Sequence, residues 1–310
     1  MKTQIINKMK FRSFIYTGLM VLAANSAFAQ ANILNAKIPE EIGMKTEAEL
    51  LLDNDKPLEY GYVGDRDILF SKMIWEKVVL DERVNFPLYF PVEGNLGDDR
   101  KSLYKVLMEN IESGMISRIY GDSYFTQERT LKDIESALKM RKITDAGIDY
   151  MNANGVGEDE VPEEYVIERN IEPADISSYL VKGLWYFDKR QGELKYRILG
   201  IAPAAPDVNF IDSEDEAQKE PIAMFWVFFP EVRDILHEAK AFNNDNSSSP
   251  ISFDHLLNSR RFHGIIYKEE NVYGDREVKE YIAENALMQL LESERIKDKI
   301  RDFEQDMWSY

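Results

Sequence analysis

Between Asp65 and Val92 the spacing of apolar positions changes abruptly. Phe70, Ile74 and Val78 recur every four residues with Leu69 and Met73 alongside, which predicts a helix with a broad apolar face, opened by Asp65 as N-cap. Pro87 and Pro91 then oppose helix, so Phe86 to Val92 reads as an extended segment suited to an edge or a clamp. The stretch carries aromatic side chains through the change but no histidine and no glycine-rich phosphate loop, a pattern of packing and docking rather than chemistry.

The same reasoning continues along the chain. A second helix is expected from Lys101 to Ser113, with Leu103, Val106, Leu107 and Ile111 on one face and Gly114 as its stop. Met115 to Phe125 reads as a short strand and turn, and Glu128 to Arg141 as a third helix. Gly155 to Pro173 is rich in acids, Gly and Pro and lacks periodicity, which suggests a domain boundary. Beyond it, Tyr179 to Asp188 and Leu194 to Ile201 flank a five-residue Gly-containing connection and predict a hairpin, which Ala202 to Pro206 should stop. Ile222 to Phe229 is apolar on both faces and so reads as a covered strand, and Pro230 suits the first turn of a helix from Glu231 to Phe242. Ser252 should cap a short helix through Leu256 and Leu257, Ile265 to Tyr267 a strand, and Arg276 to Trp308 a long amphipathic helix. The fold class is therefore α+β: a mostly helical unit over 65–155, then a mixed unit over 174–310 with a β-hairpin, a buried strand and a long C-terminal helix.

The beginning of the chain changes the setting. Lys2, Lys8, Lys10 and Arg12 precede an apolar run from Phe14 to Ala23 and the small-residue pattern Ala27-Phe28-Ala29, which together predict a secretory leader over 1–29. No stretch reaches the roughly 18 to 20 apolar residues a membrane helix needs, so direct membrane insertion is not expected. Residues 30–64 read as an irregular arm that could lie along a neighbouring molecule, with turn signals from Asp53 to Pro57 and at Gly61 and Gly64. The absence of cysteine excludes both a lipid-modified cysteine and a disulfide. Any membrane attachment must pass through a partner. Losing the leader's four basic residues takes the formal net charge from −18 to −22, which disfavours nucleic acid and anionic lipid.

Candidate chemistry is thin. Gly121-Asp122-Ser123 has the look of one esterase nucleophile, but His263, the last histidine, lacks the aspartate three residues before it that such an enzyme would use. His237, His255 and His263 are too scattered for a zinc site on spacing. The acidic runs Glu158 to Glu160 and Asp212 to Glu216 lack the alternating oxygens and glycine turn of an EF-hand. The clusters Trp185-Tyr186-Phe187 and Phe225 to Phe229 could form a sugar platform, although core packing is the default. No catalytic, cofactor-binding or metal residue is assigned, and the alternative to a structural protein is a periplasmic hydrolase or carbohydrate-binding protein.

Several segments in order carry a resemblance. They are Trp75 with Glu82 to Pro91, then Phe225 to Arg233, Ser252-Phe253-Asp254, Arg260-Arg261-Phe262, Ile266 to Glu269 with Asn271 to Tyr273, and the ending from Glu294 to Trp308. In these the chain, from about Asp65 to Tyr310, resembles the GldN/PorN family of the gliding-motility and type IX secretion machinery of Bacteroidetes. The resemblance implies a periplasmic structural protein without known catalysis, bound to the outer-membrane lipoprotein GldK (PorK) in a ring. It also implies contact with the periplasmic region of GldM (PorM), partner of GldL (PorL) in the inner-membrane motor. It leaves GldN and its paralogue GldO unseparated. The residues expected at protein interfaces are Trp75, Arg83, Phe86, Tyr89, Phe90, Arg233, Arg261 and Trp308, with the acidic surface keeping unassembled copies apart.

Overall fold

A computed structural model describes residues 56–308 apart from 94–99, 156, 158–159, 212, 214, 244–250 and 284. The leader and most of the arm therefore lie outside the described residues. A short 3-10 turn at Asp65–Asp67 enters β1 (Ile68–Val79), and a second at Arg83–Asn85 enters the four-residue α1 (Phe86–Tyr89). Next come α2 (Leu103–Glu112), β2 (Ile119–Tyr120), β3 (Glu128–Arg129), α3 (Leu131–Leu138) and β4 (Lys139–Ile143). They are followed by α4 (Asp145–Asn154), β5 (Val166–Asn170), β6 (Ser178–Asp188) and β7 (Glu193–Ala205). Then β8 (Ile222–Ala223), β9 (Val227–Phe228), α5 (Phe229–Glu238), β10 (Lys240–Ala241) and β11 (Ile251–Ser252) lead to α6 (Phe253–Asn258). Strand β12 (Ile265–Glu269), α7 (Val278–Tyr281) and α8 (Ala286–Trp308) complete the α+β fold.

The main sheet is antiparallel in the order β12-β1-β6-β7-β8, with β9 also on β7. Strand β1 takes the place of the expected helix. A four-residue repeat is also two strand repeats, so Phe70, Ile74 and Val78 share a face in either geometry. The β-branched and aromatic content of the segment favours the strand. Both faces of β1 are covered. Ile74 packs with Ile266, Val278, Ile296 and Ile300 under α8, while Trp75 packs with Tyr120, Ala202 and Trp226 on the other side. Because β1 pairs with β6 from Ile68 to Val79, the segments 65–155 and 174–310 share this sheet.

Other expectations shift for local reasons. Pro87 lies in the first turn of α1, where a missing N–H costs nothing, so it starts a helical turn rather than an extended run. The third helix is shorter than expected. Thr130 and Asp133 form a capping box, and after Leu138 the chain turns extended as β4, paired with β5. Strand β7 runs through Pro203 to Ala205 instead of stopping at Ala202. The apolar run 222–229 is two short strands, β8 and β9, separated by Met224 to Trp226, where Trp226 bridges Tyr120. Helix α5 begins at Phe229 and ends at Glu238, and the last helical segment is split into α7 and α8. As expected, Ser252 caps α6 through its hydroxyl, and β6 and β7 form the hairpin.

Candidate protein-docking surface

The turn that leaves β1 is fixed from beneath and apolar on top. Leu88 is buried in the main core, and Asn85, fully buried, uses its whole carboxamide on backbone. Its Nδ2 donates to the Val79 and His263 carbonyls at 2.7 and 3.0 Å, and its Oδ1 accepts the His263 N–H at 2.9 Å. Beside it His263 Nδ1 lies 2.5 Å from Glu82 Oε2. Tyr89 hangs its hydroxyl on the Ala174 carbonyl at 3.2 Å. Burial raises the Tyr89 phenol, with Asp81 and Asp175 adding to the shift.

On this base Val84, Phe86 and Phe90 stand 50, 37 and 47 % exposed. The Phe90 ring meets Phe86 edge-on at 5.3 Å and Tyr89 at 4.8 Å, so the three rings form one ridge. Arg83 is exposed on the same turn, and Arg261 is exposed two residues before His263. Neither guanidinium forms an ion pair with a described residue. The structure thus gathers Arg83, Phe86, Tyr89, Phe90 and, across the Asn85 clamp, Arg261. Aromatic groups with nearby arginines, already ordered before contact, are the composition of protein-binding hot spots.

Two other residues expected at an interface are inside. Trp75 is 1 % exposed. In the sheet register it pairs with Lys182 on β6 and Lys268 on β12, and the two ammonium groups lie 5.1 and 4.7 Å from its ring. Tyr124 closes over it at 5.7 Å, and the Tyr124 hydroxyl donates to Asp275. Burial, then the neighbouring Lys268, pulls the Lys182 ammonium below its ordinary value. Trp75 is therefore a core group, because the loop Asp122 to Thr126, tied through the Asp122 carboxylate, covers it. Arg233 is also buried, held by Asp254 through bonds of 2.8 and 3.1 Å. Trp308 ends α8, and its side chain lies outside the described groups.

Sequence reasoning missed three contributors. Asn85 was visible only as a member of the Glu82 to Pro91 segment; an Asn directly before an aromatic-proline pair was the available signal. Tyr60, from the described end of the arm, packs 4.1 Å from Arg233 and 4.5 Å from Arg197 and donates to Asn258 at 2.8 Å. Glu76, fully buried on β1, pairs with Arg260 and Tyr196.

Two depressions are lined by residues other than those of the ridge. One, of about 240 Å³, is lined by Glu76, Trp185, Arg260, Lys297 and Ile300, and its Arg260 and Lys297 are already paired with Glu76 and Glu294. The other, of about 250 Å³, lies along Tyr60 to Val63 and Arg197. Both fall below the roughly 300–1,000 Å³ of small-molecule pockets. Nothing here favours the hydrolase alternative. Among the described residues no helix is long and apolar enough to cross a membrane.

Fold and surface define an α+β protein with an exposed, ordered aromatic ridge. Its sequence matches the family model described as gliding motility associated protein GldN over residues 63–309. The chain belongs to the GldN family, a component of gliding motility. No curated protein matches it.

Proposed function

We propose that the chain is a non-enzymatic structural component of the gliding-motility and type IX secretion machinery, exported to the periplasm. There it assembles with the outer-membrane lipoprotein GldK (PorK) into a ring, and this ring contacts GldM (PorM), through which GldL (PorL) is reached indirectly. The observation that carries this reading is the family match, which covers nearly the whole chain beyond the arm. The ridge supports it. Phe86, Phe90 and Val84 leave apolar area in water that only another macromolecule would cover, at about 25 cal/mol per Å² removed from solvent. The leader-like first 29 residues support export, and the lack of cysteine, which leaves no residue for a lipid-modified cysteine, fits attachment through a lipidated partner.

The test is genetic and biochemical. Cells lacking the chain should retain cargo proteins that wild-type cells release, and the tagged chain should recover the lipoprotein from detergent extracts. Normal cargo release by the deletion strain, or turnover of a substrate by the purified chain, would overturn the reading.

A further inference from the structure

Strand β7 leaves part of its outer edge without a neighbour. Strands β8 and β9 pair with it only at Gly200, Ile201, Ala204 and Ala205. From Glu193 to Ile198 it pairs with β6 on one side, and among the described residues no backbone hydrogen bond reaches it from the other. We infer that this edge receives an extended, carboxylate-bearing segment of another protein, which adds to the sheet as a further strand. The edge shares no residue with the aromatic ridge, and the inference goes beyond the assembly reading.

Unpaired N–H and C=O groups along a strand recruit foreign strands, so natural sheets blunt their edges with proline, bulges, charge or a covering element. Glu193 to Ile198 holds no proline, and the first irregularity is Leu199, the extra residue where the register with β6 shifts between Ile198 and Gly200. The opposite end of the sheet is closed instead: on β12 the Ile266 N–H donates to Ser293 Oγ at 2.8 Å, and Lys268 bridges Glu277. The open run is long enough for one more strand, since strands in globular proteins commonly span about five or six residues.

Charge is the one guard this edge carries, and it selects the segment. In a chain of 38 basic against 56 acidic residues, the stretch 189–197 holds Lys189, Arg190, Lys195 and Arg197 against Glu193 alone. Lys189 is exposed and forms no ion pair with a described residue, while Arg190 meets Asp67 at 3.7 Å and Lys195 meets Glu193 at 3.9 Å. Such exposed pairs are weak and exchange readily. Two copies of this edge laid side by side would set like charges opposite each other, which destabilises cross-strand pairs. The cations therefore turn away a second copy of the edge and favour a segment with Asp or Glu at alternate positions. The depression of about 250 Å³ lined by Tyr60, Tyr186, Lys195 and Arg197 seats one side chain of that segment, as pockets beside an augmented edge do. Glu59 and Asp188 line it too, so the seated side chain is an uncharged one.

The experiment titrates the purified chain 30–310 with the peptide acetyl-Thr-Val-Glu-Val-Glu-Val-Thr-amide, with the same peptide carrying Lys for both Glu, and with one carrying Pro for the central Val. Affinity is read by fluorescence anisotropy of labelled peptide and location by amide exchange. The Glu peptide should bind saturably and slow exchange over 193–198 while leaving 84–90 unchanged. The Lys and Pro peptides should bind at least roughly tenfold more weakly, and so should the Glu peptide to the variant Lys189→Glu with Lys195→Glu. The circular dichroism of that variant should match wild type, because neither side chain is buried. Absence of saturable binding of the Glu peptide at millimolar concentration overturns the inference. Equal binding of the Lys or Pro peptide, or protection over 84–90 instead of 193–198, overturns it as well. None of these outcomes depends on cargo release or lipoprotein recovery, so the assembly reading stands or falls separately.

Discussion

Arg260 reaches Glu76 through two bonds, 3.0 Å from Nη1 to Oε2 and 2.8 Å from Nη2 to Oε1, from a backbone at φ 51°. A non-glycine residue in the left-handed region is uncommon, so this turn is held by what its side chain touches. The guanidinium also lies 4.1 Å from the Tyr196 ring and 5.1 Å from Trp185, while the Tyr196 hydroxyl donates to Glu76 at 2.9 Å. Burial opposes the charge on Arg260, and the hydrogen bond and attraction from Glu76 outweigh it, leaving the guanidinium above its ordinary value.

Removing one member of this group should therefore cost more than removing both. Glu76→Ala is expected to destabilise by roughly 3–5 kcal/mol, because it leaves an uncompensated, largely buried cation. Replacing Glu76 and Arg260 together by Leu and Met should recover a good part of that loss. Urea unfolding of Glu76→Leu, Arg260→Met and the double variant measures the coupling, and strict additivity would count against the arrangement.

Asn85 should behave as a clamp. Asn85→Ala removes three hydrogen bonds to backbone and leaves the His263 N–H and carbonyl without this partner. The expected loss is about 2–3 kcal/mol, with faster amide exchange over 82–90 and at His263. Exchange rates unchanged in that segment would show that Leu88 and α1 hold the ridge alone.

How much of this the sequence disclosed depended on whether the decisive contact was local. The Ser252 cap, the hairpin and the position of α2 follow from neighbours in the chain, and each was read correctly. Strand β1 was misread because its apolar spacing fits both periods; only pairing with β6, more than a hundred residues away, decides between them. The docking ridge was legible as residue types, since Phe86, Tyr89 and Phe90 are conspicuous. Its separation from Trp75 was not. That depends on Tyr124, brought over the indole by a loop whose covering role no local pattern announces. Likewise, Arg233 and Arg261 look alike in sequence, and only the fold pairs the first with Asp254 while leaving the second at the surface.

Alkaline pH should unfold the protein through its buried phenols. Burial raises Tyr104, Tyr179, Tyr196 and Tyr267 above the ordinary value of 10.0. Groups raised in the folded state contribute stability that is fully present below about pH 10 and lost as pH climbs toward their folded values. Lys182 has the opposite sign: its lowered value makes stability rise with pH up to its ordinary 10.5. Four phenols outweigh one ammonium, so melting temperature should fall steadily above about pH 10. The tyrosinate absorbance of these groups should appear together with loss of secondary structure; their ionisation in a folded protein would contradict the burial described.

Trp75 offers the clearest contrast between core and surface. Its indole fills space between β1, the Tyr124 loop and Trp226, so Trp75→Ala should cost about 3–5 kcal/mol in stability, and Trp75→Phe distinctly less. Phe86→Ala removes a partly exposed ring on the docking ridge and should change stability by roughly 0.5–1 kcal/mol. If Trp75 served docking directly, Trp75→Phe and Trp75→Ala would weaken partner recovery in proteins with unaltered melting temperature. The packing instead predicts that recovery with the Trp75 variants follows the folded fraction, whereas with Phe86→Ala it falls by more than the small change in stability accounts for. Melting curves run beside the recovery assay on the same preparations separate the two outcomes.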